Sequence, residues 1–390
     1  RLLASWRGTR PVDREHAPAV MESVIERVLM PEFRLVRPLR VQLQSEAEQF
    51  RRLTRRQAEV YNGFLQANRR ALIQGYAGTG KTFLALRRAA ELGRSGKRTL
   101  FLCFNRILAE HLADELAEVP NVEAFTFHGL ADAWASRAPG WTFPDEPDQT
   151  FWDHGAAELL LAAIEAANIR YDAVLVDEAQ DFRESWWVPI EAMLAPEAHL
   201  YVFYDPGQNV YSTDLDALID LPTTVPLRAN CRSTRRIHRF AARVAGSEDA
   251  VSAEHVGEGK AVELFAFDER EEQIPILEKT LRTLKQEHGL SSSEIVLLSP
   301  RNYHRSLLAE CDYRIAGYTV EPYALDAPPE DALYYESVYG FKGMEAPAVV
   351  LFDVLRDHVA SSDAALYVGC SRAQSLLYVV HEEGWPHARS

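Results

Sequence analysis

The chain has 390 residues, 47% hydrophobic and 25% charged, which excludes a disordered, collagen-like or disulfide-stapled chain. Its formal net charge of −15 argues against non-specific binding to duplex nucleic acid. The four cysteines show no metal-binding spacing, no apolar run reaches the ~18 residues that span a bilayer, and no signal peptide is recognisable. We therefore expect a cytoplasmic protein that does not bind membranes.

The first predicted region, residues 1–50, carries no chemical motif and has the features of a linker or docking segment. Helical periodicity at residues 20–29 is followed by a stretch that Pro31 and Pro38 interrupt. Residues 1–70 hold 14 arginines and 8 acidic residues, so this end of the chain is basic although the whole is acidic.

From residue 51 onward, short apolar runs alternate with amphipathic helices in two series. The predicted strands are residues 71–73, 99–104, 173–176 and 200–204, then 261–267, 294–299, 349–354 and 376–380. Strands interleaved with helices predict parallel sheets that are covered on both faces. We therefore predict an α/β fold of two lobes, residues 51–224 and 225–390, joined near residues 221–227.

The strongest local signal is residues 75–82, which read Gly-Tyr-Ala-Gly-Thr-Gly-Lys-Thr between a predicted strand and a predicted helix. This is the pattern of a phosphate-binding loop, in which backbone N–H groups and the helix dipole face the phosphates. We expect Lys81 to reach the β- and γ-phosphates and Thr82 to ligate Mg²⁺. The predicted nucleotide-binding residues of this loop are Gly75, Ala77, Gly78, Thr79, Gly80, Lys81 and Thr82.

A second signal is the apolar run at residues 174–176, which two carboxylates follow, as at the end of a buried parallel strand. We expect Asp177 to hold Mg²⁺, directly or through water, and Glu178 to orient and deprotonate the attacking water. Alone, the pattern also fits a strand that meets solvent. Together with the phosphate loop it predicts hydrolysis of ATP with Mg²⁺.

These motifs resemble those of superfamily 1 helicases of the UvrD/Rep branch, whose carboxylate motif also reads Asp-Glu-x-Gln-Asp. The resemblance runs from residue 53 to residue 380 and implies a P-loop NTPase of two RecA-like lobes. It implies that Gln57 recognises adenine. Residues 100–108 and 126–128 resemble the segments of the first lobe that grip single-stranded DNA. The candidates in these segments are Phe104, Asn105 and His128.

Further motifs follow in the order of the family. Residues 204–211 are similar to the coupling motif, which implies that Gln208 senses the γ-phosphate and that Tyr211 lies near a base. Two motifs of the second lobe supply the phosphate-facing arginines, Arg232 and Arg372. An arginine suits this role because its planar fork stabilises charge spread over the γ-phosphoryl oxygens.

Residues 337–345 resemble a motif spelled Thr-x-His-x-x-Lys-Gly-x-Glu. Lys342 and Glu345 match it, and the resemblance implies that Glu345 lies near the ribose. Ser337 and Tyr339 depart from the Thr and His of the family, at the positions that contact the single strand.

The accessory subdomains of larger relatives are much reduced in this chain. An insertion in the first lobe can occupy at most residues 129–170, and residues 300–336 leave room for one helix and a loop. The basic residues 1–50 also resemble the connector of proteins in which a nuclease-related domain precedes such a helicase. An N-terminal nuclease domain or a partner protein is therefore a candidate partner.

The predicted activity is ATP-dependent movement along single-stranded DNA, in the 3′ to 5′ direction that the resemblance implies. RNA stays open as the track, because contacts to bases and phosphates need not sense the 2′-hydroxyl. The alternative is an ATP-driven regulatory switch that controls an attached nuclease or partner without processive unwinding. The small insertions and the altered Ser337 and Tyr339 favour that alternative.

Overall fold

The computed structural model describes residues 39–137, 144, 146–208, 219, 221–247, 251–253, 255–356 and 358–388. The helix predicted at residues 20–29 and the candidate Tyr211 lie outside these ranges. By its internal contacts the chain divides into two units, Arg1–Gln42 and Leu43–Ser390. Both predicted lobes belong to the second unit.

A long helix, α1 (Leu39–Ala67), precedes the first sheet. It buries residues three or four positions apart, as an amphipathic helix does. These residues are Leu43, Glu46, Phe50, Thr54, Ala58, Asn62 and Leu65. Helix α1 thus begins at Leu39, inside the linker or docking segment predicted for residues 1–50, and continues past its end.

The first lobe is a six-stranded sheet with connecting helices. Its strands are β1 (Arg70–Gly75), β2 (Thr99–Cys103), β3 (Val122–Thr126), β4 (Tyr171–Val176), β5 (Leu194–Tyr204) and β6 (Thr224–Leu227). Its helices are α2 (Lys81–Arg94), α3 (Arg106–Leu116), α4 (Phe127–Trp134), α5 (Ala156–Ala167) and α6 (Trp187–Ala192). The strands are all parallel, in the order β3-β2-β4-β5-β1-β6. The ends of β1, β4 and β5 therefore meet at one edge, which brings the segments that follow them together.

Two helices of this lobe begin directly after strands because polar side chains cap them. Asn105 accepts a hydrogen bond from Leu108 N (3.1 Å) at the start of α3. The Thr126 hydroxyl accepts one from Gly129 N (2.9 Å) at the start of α4. Such caps satisfy backbone donors that the first helical turn leaves unpaired. The strand-to-helix turns are thereby fixed where the sequence predicts nucleic-acid contacts.

The second lobe is a seven-stranded sheet. Its strands are β7 (Glu263–Phe267), β8 (Ile295–Ser299), β9 (Arg314–Ile315), β10 (Tyr318–Pro322), β11 (Ala332–Ser337), β12 (Ala346–Val354) and β13 (Ala373–Glu382). Its helices are α7 (Arg235–Val244), α8 (Gln273–Arg282) and α9 (Asp363–Cys370). The order is β7-β13-β12-β8-β11-β10-β9, and all pairs are parallel except β9 with β10. The predicted α/β fold of two RecA-like lobes is confirmed.

The predicted junction between the lobes, residues 221–227, contains the edge strand of the first sheet. Strand β6 pairs with β1, with Leu72 opposite Thr224 and Gly75 opposite Leu227. The first sheet thus extends beyond the predicted boundary at residue 224. Strand β3 was not predicted, because it is only half-buried along its length and carries Glu123 at its second position, so its apolar pattern is weak.

Apolar packing joins the two lobes. One cluster of buried side chains includes Leu108 of α3 together with Phe341 and Met344 of the second lobe. An ideal Cβ on Gly343, whose φ is +86°, would lie 2.6 Å from Leu108 Cδ2. Gly343 therefore serves both the backbone turn and the close approach of the lobes. Among the described residues, no helix combines the length and apolar character needed to cross a membrane.

Candidate active site

The phosphate loop, residues 75–82, joins β1 to α2. Gly78 and Gly80 have φ values of +81° and +78°, which residues with a side chain rarely adopt. An ideal Cβ on Gly78 would lie 2.7 Å from Asn230 Oδ1 of the second lobe. These glycines thus permit both the turn of the loop and the contact between lobes.

Lys81 is buried and folded back over the loop. Its Nζ donates to the carbonyls of Gly75 (2.6 Å) and Tyr76 (3.2 Å) and pairs with Asp205 Oδ2 at 3.1 Å. Asp205 follows β5 and is completely buried, and burial raises its pKa despite the Lys81 charge beside it. Asp205 lies in the coupling motif, residues 204–211, but no role was predicted for it. A signal was present, since this acid follows a buried strand as Asp177 does.

Asp177 follows β4 and is the better candidate for a metal ligand. Its Oδ1 accepts from Glu178 N (3.0 Å), whereas its Oδ2 is buried and has no hydrogen-bond partner among the described residues. Burial and the neighbouring Glu178 carboxylate raise the pKa of Asp177 to about 6, although Thr82 and Lys81 act to lower it. An orphaned carboxylate oxygen beside the Thr82 hydroxyl fits the oxygen ligands that Mg²⁺ prefers.

Glu178 has a φ of +54°, a backbone conformation uncommon for a residue with a side chain and one that is often found at functional sites. Its Oε2 accepts a hydrogen bond from Gln180 Nε2, and Gln180 Oε1 in turn accepts from Asp205 N (3.0 Å). Burial opposes ionisation, but nearby cations, led by Lys342, hold the pKa of Glu178 below its usual value. Glu178 is therefore an oriented and ionised carboxylate, as a general base requires.

Lys342 of the second lobe forms a buried ion pair with the first lobe. Its Nζ donates to both carboxylate oxygens of Asp181, at 2.8 and 2.7 Å, and lies 3.7 Å from Glu178 Oε2. Both partners are more than nine-tenths buried. Lys342 and Asp181 belong to two separate motifs, residues 337–345 and the Asp-Glu-x-Gln-Asp motif, and their pairing was not predicted.

Replacing Lys342 with alanine is expected to destabilise the chain by about 3 kcal/mol at pH 8, because a buried carboxylate then lacks its cation. Burial already raises the pKa of Asp181 to about 6, and loss of the ammonium raises that pKa further. The folded variant therefore takes up a proton as the pH falls, and the deficit should shrink at about pH 5. Urea unfolding of the wild type and the variant at both pH values measures this difference in the free energy of unfolding.

The control for this experiment is Lys97→Ala. Lys97 is a partly exposed lysine outside the ion pair of Lys342 and Asp181. It should change the free energy of unfolding by less than about 0.5 kcal/mol. An equal loss for both variants, or a Lys342→Ala deficit that grows at low pH, would contradict the buried pair.

The two candidate arginines of the second lobe differ in their surroundings. Arg372 is buried and donates within its own lobe, from Nε to Val368 O (3.0 Å) and from one terminal nitrogen to Met344 O (3.3 Å). Arg232 is more exposed, and its guanidinium lies 3.6 Å from Glu345 Oε2. Arg372 is thus fixed in place, and Arg232 pairs with the residue predicted near the ribose.

Two neighbouring cavities mark the boundary between the lobes. The first, of about 20 Å³, is lined by Ala77, Gly78, Gly80, Lys81, Thr82, Glu178, Gln208, Arg232, Gly343 and Arg372. The second, of about 360 Å³, is lined by Ala47, Phe50, Arg51, Thr54, Arg55, Phe83, Arg232, Glu345 and Gln374. Arg232 lines both, so the larger cavity adjoins the cleft. The structure thus brings the predicted residues of both lobes to one cleft.

Two of the candidate glutamines bond at the phosphate loop, one to the loop itself and one to Asp205, which pairs with Lys81. Gln208 Nε2 donates to Asp205 Oδ2 (2.8 Å), while Gln208 Oε1 is buried without a hydrogen-bond partner among the described residues. Gln57 Nε2 donates to Thr79 O (3.1 Å), and Gln57 Oε1 accepts from Cys231 Sγ (2.6 Å). Gln57 is therefore engaged by the protein at both ends of its amide. Gln208 keeps one acceptor unused.

Of the first-lobe candidates for nucleic-acid contact, Asn105 contacts the second lobe and Phe104 is its neighbour in the chain. Phe104 is 43% exposed and stacks on Trp186 with a ring separation of 6.1 Å. Asn105 Nδ2 donates across the lobes to the carbonyls of Tyr339 (2.9 Å) and Gly340 (2.7 Å). The Tyr339 side chain is 46% exposed. Asn105 thus links two exposed aromatic residues, one from each lobe: Phe104 precedes it in the chain, and the Tyr339 backbone accepts its hydrogen bond.

His128 lies within an aromatic cluster. Its Nε2 is 3.1 Å from Trp152 O, and its ring packs edge-on against Trp152 and Trp186, at 4.6 and 4.7 Å. Burial lowers the pKa of His128, so it is neutral at pH 7. The structure places it against protein rings rather than in an open position.

Two family models match the segments that carry the motifs of this cleft. A family model described as an AAA domain matches residues 57–214, and a model of the UvrD-like helicase C-terminal domain matches residues 332–380. No curated protein matches the chain. Among solved structures, the chain is similar to Arterivirus nonstructural protein 10, a helicase, with 11% identity and a TM-score of 0.41. That match covers 80% of this chain and 59% of the other.

The matched domains follow each other in one chain and contain the phosphate loop, the Asp177–Glu178 pair and the Lys342 motif. With its two RecA-like lobes and these motifs, the chain belongs to the UvrD-like helicases of superfamily 1.

Proposed function

We propose that the chain is an ATP-driven translocase on single-stranded DNA that moves 3′ to 5′. The observation that carries the proposal is the shared cleft, which Lys81 and Glu178 line from the first lobe and Arg232 and Arg372 from the second. Cationic side chains of both lobes would thus stabilise the negative charge of the transferred phosphoryl group. Hydrolysis would therefore depend on closure of the lobes.

ATP would occupy the two adjoining cavities. Its phosphates would lie in the cleft at the phosphate loop, and its base and ribose in the 360 Å³ cavity beside Glu345 and Phe83. Gln57 would reach the base after releasing one of its two protein contacts. A cleft of about 20 Å³ is too small for a triphosphate, so nucleotide entry would require the lobes to separate.

The catalytic roles follow from charge and position. Mg²⁺, when bound, would neutralise phosphate charge, and Thr82 with Asp177 Oδ2 would hold it. Lys81 would leave Asp205 for the β- and γ-phosphate oxygens. Glu178 would orient the attacking water and take its proton, and Gln208 would use its free Oε1 near the γ-phosphate.

The nucleic-acid track would run past Phe104 and Tyr339. Exposed aromatic rings are platforms on which bases of a single strand stack. Stacking needs little positive charge, which is compatible with the net charge of −15. Asn105 would link the two platforms, so movement of the lobes would change the spacing between stacked bases.

Phe104→Ala is expected to weaken the binding of oligo(dT) about 5- to 50-fold, because one base loses its stacking surface. Basal ATP hydrolysis should not change. Phe64→Ala is the matched control, since Phe64 is an equally exposed phenylalanine (42%) on α1. Fluorescence anisotropy with labelled oligo(dT) measures the affinity. Equal affinities for the two variants would remove Phe104 from the track.

One experiment tests the whole proposal. ATP hydrolysis is measured with no polynucleotide, with oligo(dT) and with oligo(U), and streptavidin displacement is measured from either end of biotinylated strands. We expect strong stimulation by oligo(dT) and displacement only from the end that a 3′ to 5′ motor reaches. Stimulation only by oligo(U) would reassign the track to RNA.

A regulatory switch is the second candidate. The cross-lobe contacts of Lys342 and Asn105 are contacts of the closed lobes, and in a switch ATP-driven lobe closure would control a partner without processive movement. Turnover that no polynucleotide stimulates, together with no displacement, would favour the switch, with an attached nuclease or partner protein as its target.

A further inference from the structure

Tyr367 of the second lobe contacts the phosphate loop of the first. It lies on α9, one and a half turns before Arg372, and is 3% exposed. Its hydroxyl accepts a hydrogen bond from Ala77 N at 2.9 Å. Ala77 is the third residue of the loop and lines the phosphate cleft. The helix that precedes one phosphate-facing arginine therefore also holds the loop opposite it.

The ring of Tyr367 makes a second contact, with the turn that follows β5. An ideal Cβ on Gly207 would lie 3.1 Å from Tyr367 Cε1 and 2.9 Å from Tyr76 Cδ1. The turn is thus enclosed by two tyrosine rings, which leave no room for a side chain at Gly207. The same turn carries Asp205, which pairs with Lys81.

The protonation state of Tyr367 suits a fixed contact. Burial, reinforced by the negative charge of Asp205, raises the pKa of the Tyr367 hydroxyl well above its ordinary value. The side chain therefore stays a neutral phenol. Its own proton has no acceptor among the described residues, so the hydroxyl adds an uncommitted donor beside the loop.

We propose that Tyr367 is a positioning residue for ATP hydrolysis, through which the second lobe aligns the phosphate loop and residues 205–208 with Arg372. This inference rests on the proposed ATP hydrolysis in the cleft. Its basis is that one side chain bonds to the loop through its hydroxyl and packs on the turn through its ring. Both contacts cross the lobe boundary, so they act only when the lobes are closed.

The test is Tyr367→Phe in the full chain, which removes the hydroxyl and keeps the ring. We expect kcat to fall about 5- to 10-fold, the range of one hydrogen bond, while KM for ATP changes less than about 2-fold. The KM is preserved because the first lobe would still hold the nucleotide. The loss should occur with and without oligo(dT), and the midpoint of thermal unfolding should change little.

Tyr378→Phe is the matched control. Tyr378 is a buried tyrosine of the same lobe, 6% exposed, and its hydroxyl makes no hydrogen bond to the described residues. It should leave kcat unchanged. Gly207→Ala is a second variant, which forces the turn away from both rings and should lower kcat at least as much as Tyr367→Phe.

Three results would overturn the inference: a Tyr367→Phe variant with wild-type kcat, a loss confined to KM, or an equal loss in Tyr378→Phe. Failure of the translocase proposal is distinguishable. In that case oligo(dT) would not stimulate the wild type, but basal kcat would still compare the tyrosine variants. A wild-type chain with no hydrolysis would overturn both proposals.

Discussion

Lys81→Ala is expected to reduce ATP hydrolysis by at least about 100-fold, because the β- and γ-phosphate oxygens lose their cation in a site that excludes water. The lysine already lies in the cleft, where it is bonded to two loop carbonyls and to Asp205. Phosphate release under saturating ATP measures the loss. Binding of a fluorescent ATP analogue shows how much of it comes from affinity.

The same substitution also leaves Asp205 buried without its cation, which lowers the stability of the fold. A folding defect would then be mistaken for loss of the chemical step. Lys81→Ala combined with Asp205→Asn removes that uncompensated charge. If the double variant is stable and still inactive, the loss belongs to the phosphates. Lys279→Ala, an exposed lysine of the second lobe, should hydrolyse ATP normally. Normal turnover by Lys81→Ala would refute the assigned role of the phosphate loop.

The local parts of the site were predictable from sequence because each is carried by a short continuous segment. Glycines at fixed positions after an apolar strand predict the phosphate loop, and two acids after another strand predict the carboxylate pair. Parallel strands deliver both to one sheet edge, so their meeting in space followed from the fold class. The alternation of strands and helices predicted that class correctly.

The pairings between distant residues were not predictable. Lys81 pairs with Asp205 across 124 residues, Lys342 with Asp181 across 161, and Ala77 with Tyr367 across 290. Each partner stood in a recognisable motif, but a motif fixes the position of a residue in the chain and not the lobe that it faces. The pairing of β1 with β5 brings Lys81 and Asp205 together within the first lobe. The other two contacts cross the lobes, so they exist only in the closed arrangement.

Two further elements were not predicted, for a related reason. Strand β6 has only four residues and alternates exposed with buried positions at the sheet edge, so it read as a connection between lobes. Helix α1 carries Glu46 and Asn62 among its buried residues, which weakens its apolar pattern. Both elements are defined by what they pack against, and a single sequence does not contain that information.

Glu178→Gln is expected to lower kcat about 100-fold or more while ATP stays bound, because the amide keeps the shape of the carboxylate but cannot take a proton. Cations around Glu178 hold its pKa below the usual value, so the wild-type base is already ionised at neutral pH. The glutamine amide of the variant does not become a base at higher pH, so raising the pH should not restore its kcat.

A trapped ATP complex separates loss of chemistry from loss of binding. The Glu178→Gln chain should retain radiolabelled ATP through gel filtration. The wild type should instead hydrolyse the ATP and release ADP and phosphate. Glu184→Gln, an exposed acid six residues further along the same connection, is the control and should turn over normally. Because Asp181 still neutralises Lys342 in the variant, the substitution should affect the hydrolysis step and not folding. A Glu178→Gln variant that hydrolyses ATP at the wild-type rate would show that another group activates the water.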